Sequence, residues 1–183
     1  MRHKYVTQAI VLQRTPLGEA NALLTLLTEE VGLVRARVQG IRRPYAKLVQ
    51  MLPTFAESRV ILVRGKEGWR ISGAILTRNW FRELPAPVRG RSARLSALLL
   101  RLVPGETADP RVFSALRDFF EGLVLLPPDA HDAAECLAAL RLLYALGLDV
   151  GELPPDTEML PNIKAHRMEY IARINRGIAA SGL

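Results

Sequence analysis

Arg35, Arg37, Arg42, Arg43 and Lys47 crowd into one stretch, Gly32 to Lys47, which reads GLVRARVQGIRRPYAK. Five cations in a row of this kind can neutralise successive phosphates of a polyanion. Each such contact releases counterions, so the chemistry on offer is salt-sensitive binding. Tyr45 lies among them and adds a ring on which a base can stack, a contact of about 1–3 kcal/mol in single-strand binders. Arg89, Arg91 and Arg94 form a second basic cluster. It falls at the start of an expected helix, where the macrodipole disfavours cations, and this hints at an anion partner.

Signals for bond-making chemistry are absent. The sequence has no GxxxxGK[ST] loop, no GxSxG and no HExxH. His131, Asp132, Glu135 and Cys136 are close in sequence but sit on an expected helix. Cys136 falls on its apolar stripe, where a thiol behaves as a small hydrophobe. His166 and Glu169 lack a third ligand. No enzyme, metal or cofactor is expected.

The elements that must hold the arginines read as β. Leu33 to Gln39 alternates, so Arg35, Arg37 and Gln39 share one face and Val34, Ala36 and Val38 the other. The arginine face is expected outside and the apolar face in the core. Strands are also expected over Tyr5–Arg14, Leu23–Thr28, Glu57–Arg64 and Trp69–Thr77, the second of which periodicity alone also allows as helix. Turns fall at Thr15-Pro16-Leu17-Gly18 and Gly65-Lys66-Glu67-Gly68, and Tyr45–Gln50 is loop or one helical turn. Trp69 and Phe81 are expected inside. Five short strands suit an OB-fold or an SH3-like barrel.

From about residue 79 the period turns helical. Helices are expected over Ser92–Leu102, from an Asp109 cap and Pro110 to Leu125, from an Asp129 cap to a stop at Gly147, and over Asn162–Ala179. Glu169 and Arg173 are expected to pair at i, i+4 on the last of these. The chain thus divides into residues 1–80, a β-barrel, and 81–183, all helical.

Length and charge agree with this division. The 183 residues suit one domain or two small ones. Residues 1–82 carry a net +9, residues 83–162 a net −5 and the remainder +3. A basic first part beside a mildly acidic middle points to a polyanion partner on the first part. A single cysteine fits a reducing cytosol and excludes an internal disulfide. No signal peptide and no membrane span are expected.

The pattern from Ile10 to Leu48 resembles the N-terminal domain of RecO, the bacterial recombination mediator. The matching elements are the Ile10-Val11-Leu12 strand, the Gly18-Glu19-Ala20 turn, Thr28-Glu29-Glu30, Gly32-Leu33, Gly40, Arg42-Arg43 and Lys47-Leu48. Leu52-Pro53, Phe55 and a Gly-Trp hairpin follow, and Leu142–Leu153 (LLYALGLDVGEL) resembles the end of a family helix. The resemblance implies an α+β chain, an N-terminal five-stranded OB-fold β-barrel followed by an all-helical C-terminal domain. It implies a non-enzymatic, cytoplasmic and nucleoid-associated mediator that binds single- and double-stranded DNA, anneals strands and helps load a recombinase. The partners implied are RecR and the C-terminal tail of the single-stranded DNA-binding protein, with no membrane and no small-molecule substrate. The DNA contacts implied are Arg35, Arg37, Arg42, Arg43 and Lys47, with Tyr45, Arg89 and Arg91 added from the residues themselves. Many members carry four zinc-binding cysteines after that helix end, whereas Pro154–Pro161 has none. The chain therefore reads as a divergent or shortened member without the zinc site. The alternative is a protein-interaction adaptor built on a basic barrel.

Overall fold

Alternating apolar residues set five strands in the first part of the chain: β1 (His3–Leu17), β2 (Asn21–Thr28), β3 (Gly32–Val38), β4 (Ala56–Gly65) and β5 (Gly68–Asn79). The computed structural model describes residues 3–40, 47–153 and 159–182. The strands close into a barrel in the order β1-β2-β3-β5-β4. Neighbours are antiparallel except β3 and β5, which run parallel and pair Ala36 with Trp69 and Arg37 with Arg70. Val34, Ala36 and Val38 of β3 are fully buried with Leu24, Leu26, Val60 and Leu62. Burial of each of these valines and leucines contributes about 1.5–3 kcal/mol.

β1 runs through Thr15-Pro16-Leu17, where a turn was expected, and the turn falls on Gly18-Glu19-Ala20 instead. The register explains why proline is tolerated. β4 covers β1 only from His3 to Ile10, so Pro16, paired with Ala22 of β2, lies where its other edge needs no donor. A short helix, α1 (Lys47–Met51), precedes β4, and another, α2 (Trp80–Glu83), follows β5. α2 buries Trp80, whose Nε1 donates to Glu57 at 3.1 Å. Phe81, expected inside, is exposed: within this single turn Trp80 takes the inward direction.

The chain forms two units. The first runs to Glu83 and includes Pro104–Ala108, a strap that lies on the barrel. Leu33 N–H donates to the Gly105 carbonyl at 3.0 Å. Gly32 enters β3 at a φ of 86°, and a Cβ there would lie 2.4 Å from the Thr107 carbonyl oxygen.

The second unit holds α3 (Arg89–Leu102), α4 (Pro110–Leu125), α5 (His131–Ala145), α6 (Met159–Ala165) and α7 (Arg167–Ala180). α5 packs against the other four and is buried on several sides, which its run of alanines and leucines permits. Asp109 caps α4 as expected, accepting from the Arg111 N–H at 2.9 Å. Asp129 caps nothing. Pro127-Pro128 starts a 3-10 turn, α5 begins after it, and Asp129 pairs with Lys164 at 2.7 Å. The single helix expected over Asn162–Ala179 is two, broken at His166. His166 keeps its backbone bond to the Asn162 carbonyl at 3.0 Å, but its φ of −111° and ψ of 29° leave the helical region and turn the chain into the second helix. Arg173 turns from Glu169 to Asp149, its Nε donating at 2.8 Å. Its guanidinium also holds the carbonyls of Gly151 and Glu152, so it anchors the loop after α5.

Two outcomes follow. Gly32→Ala costs about 2–3 kcal/mol, from the positive φ and the strap collision together, read as a lower urea midpoint. Asp109→Ala costs about 1 kcal/mol at neutral pH. The Arg111 side chain holds the Asp109 carboxyl below its usual range, so this stabilisation is present above the unfolded value and lost as pH falls through the lower folded value. The urea midpoints of wild type and variant therefore converge well below about pH 3.9.

Candidate nucleic-acid interface

β3 places its arginines by parity. With Val34, Ala36 and Val38 sealed in the core, Arg35, Arg37 and Gln39 stand on the outer face and are exposed. Residues two apart on a strand are about 6.8 Å apart, so Arg35 and Arg37 follow a chain along β3 and do not converge on one anion.

Barrel closure supplies what the local sequence does not. The parallel pair sets Arg70 of β5 beside Arg37. Arg70 pairs in turn with Val63 of β4, and Val63 with Lys4 of β1. Lys4, Arg70 and Arg37 thus lie in one row around the outside of the barrel. With strands about 4.8 Å apart, the row spans about 14 Å. Like charges on neighbouring strands repel, which makes the row receptive to anions.

The β4–β5 hairpin overhangs this row. A cleft of about 960 Å³ lies under it, lined by His3, Arg37, Gln39, Arg64, Lys66, Glu67, Trp69 and Arg70, among others. Two carboxylates meet its arginines in different ways. Glu67, at the hairpin tip, takes a single bond from the Arg37 guanidinium at 3.0 Å, and both side chains are well exposed. Glu106, on the strap, accepts from Arg64 at 2.5 Å with one oxygen and from Trp69 Nε1 at 2.8 Å with the other. Arg64 stacks over the Trp69 ring at 5.1 Å, and Tyr5 meets that ring edge-on at 5.2 Å. Trp69 is therefore a core and wall residue, as expected, and not a stacking platform.

The other expected contacts divide. Arg42, Arg43 and Tyr45 lie outside the described residues, and Lys47 opens α1. Arg89 and Arg91 belong to α3 in the second unit. Arg89 Nε donates to the Leu84 carbonyl at 3.2 Å. Arg91 reaches Glu135 at 2.5 Å and Asp132 at 3.4 Å, while Arg94 bonds both oxygens of Glu135 at 2.8 Å. Arg167 takes the other side of Asp132. The anion that this cluster called for is thus supplied by α5. Arg167 holds Asp132 below the usual carboxylate range, and Glu135 raises the Arg94 guanidinium further. The His131–Cys136 group is likewise dispersed. His131 Nε2 lies 2.9 Å from the Leu126 carbonyl, and burial pushes the Cys136 thiol up. Among the described residues, no three His, Cys, Asp or Glu are placed to hold a metal, and no helix is long and apolar enough to cross a membrane.

Sequence reading missed Arg70, Arg64, Lys66 and Glu67. The hairpin itself was legible, and so was the alternation after Trp69. What placed them at the site is the β3–β5 contact, which only the strand order of the closed barrel reveals.

Residues 1–80 match the family model described as Recombination protein O N terminal. Curated relatives extend the likeness beyond the barrel. DNA repair protein RecO of Dehalococcoides mccartyi (strain 195) is 31% identical over 128 residues, covering 66% of this chain and 48% of the relative. DNA repair protein RecO of Heliobacterium modesticaldum is 31% identical over 156 residues, 81% of this chain and 56% of the relative. That of Synechococcus elongatus is 44% identical over 66 residues, 36% of this chain and 25% of the relative. The chain spans about half the length of the relatives matched most fully.

Arg91→Ala separates the two basic clusters. It is expected to lower stability by about 1 kcal/mol, through the loss of a partly exposed ion-pair network, while leaving oligonucleotide affinity within about twofold of wild type. Anisotropy titration beside a thermal melt checks both, and a larger affinity loss would return Arg91 to the anion contacts.

Proposed function

The chain belongs to the RecO family, and on that premise we propose that it is a DNA-binding recombination mediator of DNA repair. The barrel is read as an OB-fold, whose ligands cross the β2–β3 face between the β1–β2 and β4–β5 loops. The observation that carries the reading is the row of cations fixed on the strands of that side, Arg35 and Arg37 on β3 with Arg70 beside them. Among the described residues, Arg35 and Arg70 are held by no carboxylate.

The chemistry is electrostatic. Guanidiniums held on strands meet the phosphate backbone, and counterion release drives association without a sequence requirement. A protein that lowers backbone charge also lowers the repulsion between two complementary strands, which is how such a surface assists annealing. The same surface receives double-stranded DNA, whose phosphates are denser along the axis. Recombinase loading onto protein-coated strands, contact with RecR, and capture of the C-terminal tail of the single-stranded DNA-binding protein belong to this proposal, as does a place in the cytoplasm with the nucleoid. It assigns no bond-making step to the chain. Arg42, Arg43, Tyr45 and Lys47, which follow β3 in the sequence, are further contacts within this proposal.

Arg35→Ala with Arg37→Ala is expected to weaken binding of a labelled single-stranded oligonucleotide several-fold at low salt. The slope of log affinity against log salt becomes shallower by about 1.4, one single-strand phosphate for each arginine. An unchanged affinity and slope with the fold intact would overturn the assignment. No binding by the wild-type protein at micromolar concentration would favour the adaptor reading instead.

A further inference from the structure

We propose that Glu67 is an internal anion that occupies Arg37 until a polyphosphate backbone displaces it, so that the cleft under the hairpin accepts polymers and refuses isolated anions. The inference rests on the DNA-binding reading above and assigns a specificity-determining residue to it.

The cleft is strongly positive: Arg37, Arg64, Lys66 and Arg70 line it against one lining carboxylate, Glu67. Left open, such a site would take up any phosphate or acidic side chain. Two of its arginines are instead met from within, by carboxylates of opposite character. Glu106 is fixed, because leaving Arg64 would also leave the indole N–H of buried Trp69 without its acceptor. Arg64 is therefore part of the wall.

Glu67 has no such second tie. Among the described residues it bonds Arg37 alone at 3.0 Å, with side chains 85% and 50% exposed. It sits on the two-residue tip between Gly65 and Gly68, where its side chain can leave Arg37 without disturbing the ladder. An exposed pair of this kind is weak and readily exchanged. Tethering nonetheless gives the carboxylate a high effective concentration at Arg37, of millimolar order for a short flexible connection. A lone phosphate ion competes poorly against that. A DNA strand engaging Arg35, Arg37 and Arg70 together gains counterion release at every contact and wins the exchange. The expelled Glu67 then faces the backbone and repels it, which holds affinity below what the cations alone would give.

The test is a double-mutant cycle read by anisotropy with a labelled oligo-thymidine strand at constant ionic strength, using wild type, Glu67→Gln, Arg37→Ala and the double variant. Glu67→Gln is expected to bind about threefold tighter, the size of an exposed ion pair. Without DNA, it is also expected to bind inorganic phosphate at lower concentrations than the wild type does, read by calorimetric titration. In the Arg37→Ala background the Glu67→Gln gain shrinks to the part owed to repulsion of the backbone. A gain that persists undiminished without Arg37 would overturn the proposal, since it would report net charge alone. So would a Glu67→Gln protein identical to wild type while Arg37→Ala binds weakly, and in that case the DNA-binding reading stands. Arg37→Ala binding as tightly as wild type would remove Arg37 from the DNA path and overturn the proposal, while the DNA-binding reading would stand on Arg35 and Arg70; absence of binding by the wild type would take both down.

Discussion

The first unit depends on a two-residue contact. Ala36 with Trp69 and Arg37 with Arg70 are the recorded parallel pairs between β3 and β5, and they close the barrel. The pair has two faces. Inward, Ala36 and Trp69 join the core, and the small side chain opposite the indole leaves room for it. Outward, two arginines are forced side by side. Because parity along a strand is fixed, the core cannot take Ala36 and Trp69 without also exposing Arg37 beside Arg70. Packing and binding surface thus arise from one register.

The fate of the arginines separates the two units. In the helical unit, α5 and neighbouring segments supply carboxylates: Glu135 for Arg91 and Arg94, Asp132 for Arg167, Asp149 for Arg173, Asp109 for Arg111. Residues 83–183 carry 11 Lys or Arg and 13 Asp or Glu, a near balance realised there as internal pairing. In the barrel the basic residues outnumber acids nearly three to one, with 14 Lys or Arg against 5 Asp or Glu over residues 1–82. Pairing within that unit cannot neutralise them. The excess stands on the strands.

Legibility followed the range of each interaction. β3 was readable to its side-chain directions because period-two alternation is local, and the Asp109-Pro110 start of α4 was readable because a cap and its acceptors lie within a turn. Misreadings came where a distant partner decided. Pro16 looks like a turn until the limited cover from β4 is known. Glu169 looks like the partner of Arg173 until the loop at Asp149 is packed beneath it. The cleft lies at the far end of this scale. It needs β3, β4 and β5 assembled before Arg37, Lys66 and Arg70 share a space.

The two carboxylates that meet the arginines of that cleft show how geometry separates a structural ion pair from an exchangeable one when the residue types are identical. Both are glutamates on turns or loops, and both meet an arginine on a barrel strand. The difference is the second donor. Glu106 bridges a guanidinium and a buried indole, so removing it exposes an unsatisfied N–H, which costs about 1–3 kcal/mol beyond the pair itself. Glu67 bridges nothing, and water restores both of its ends when it leaves. Distance alone does not distinguish the two pairs. What each side chain would leave behind does. On that criterion the strap belongs to the architecture of the barrel, and the hairpin tip belongs to whatever the barrel binds.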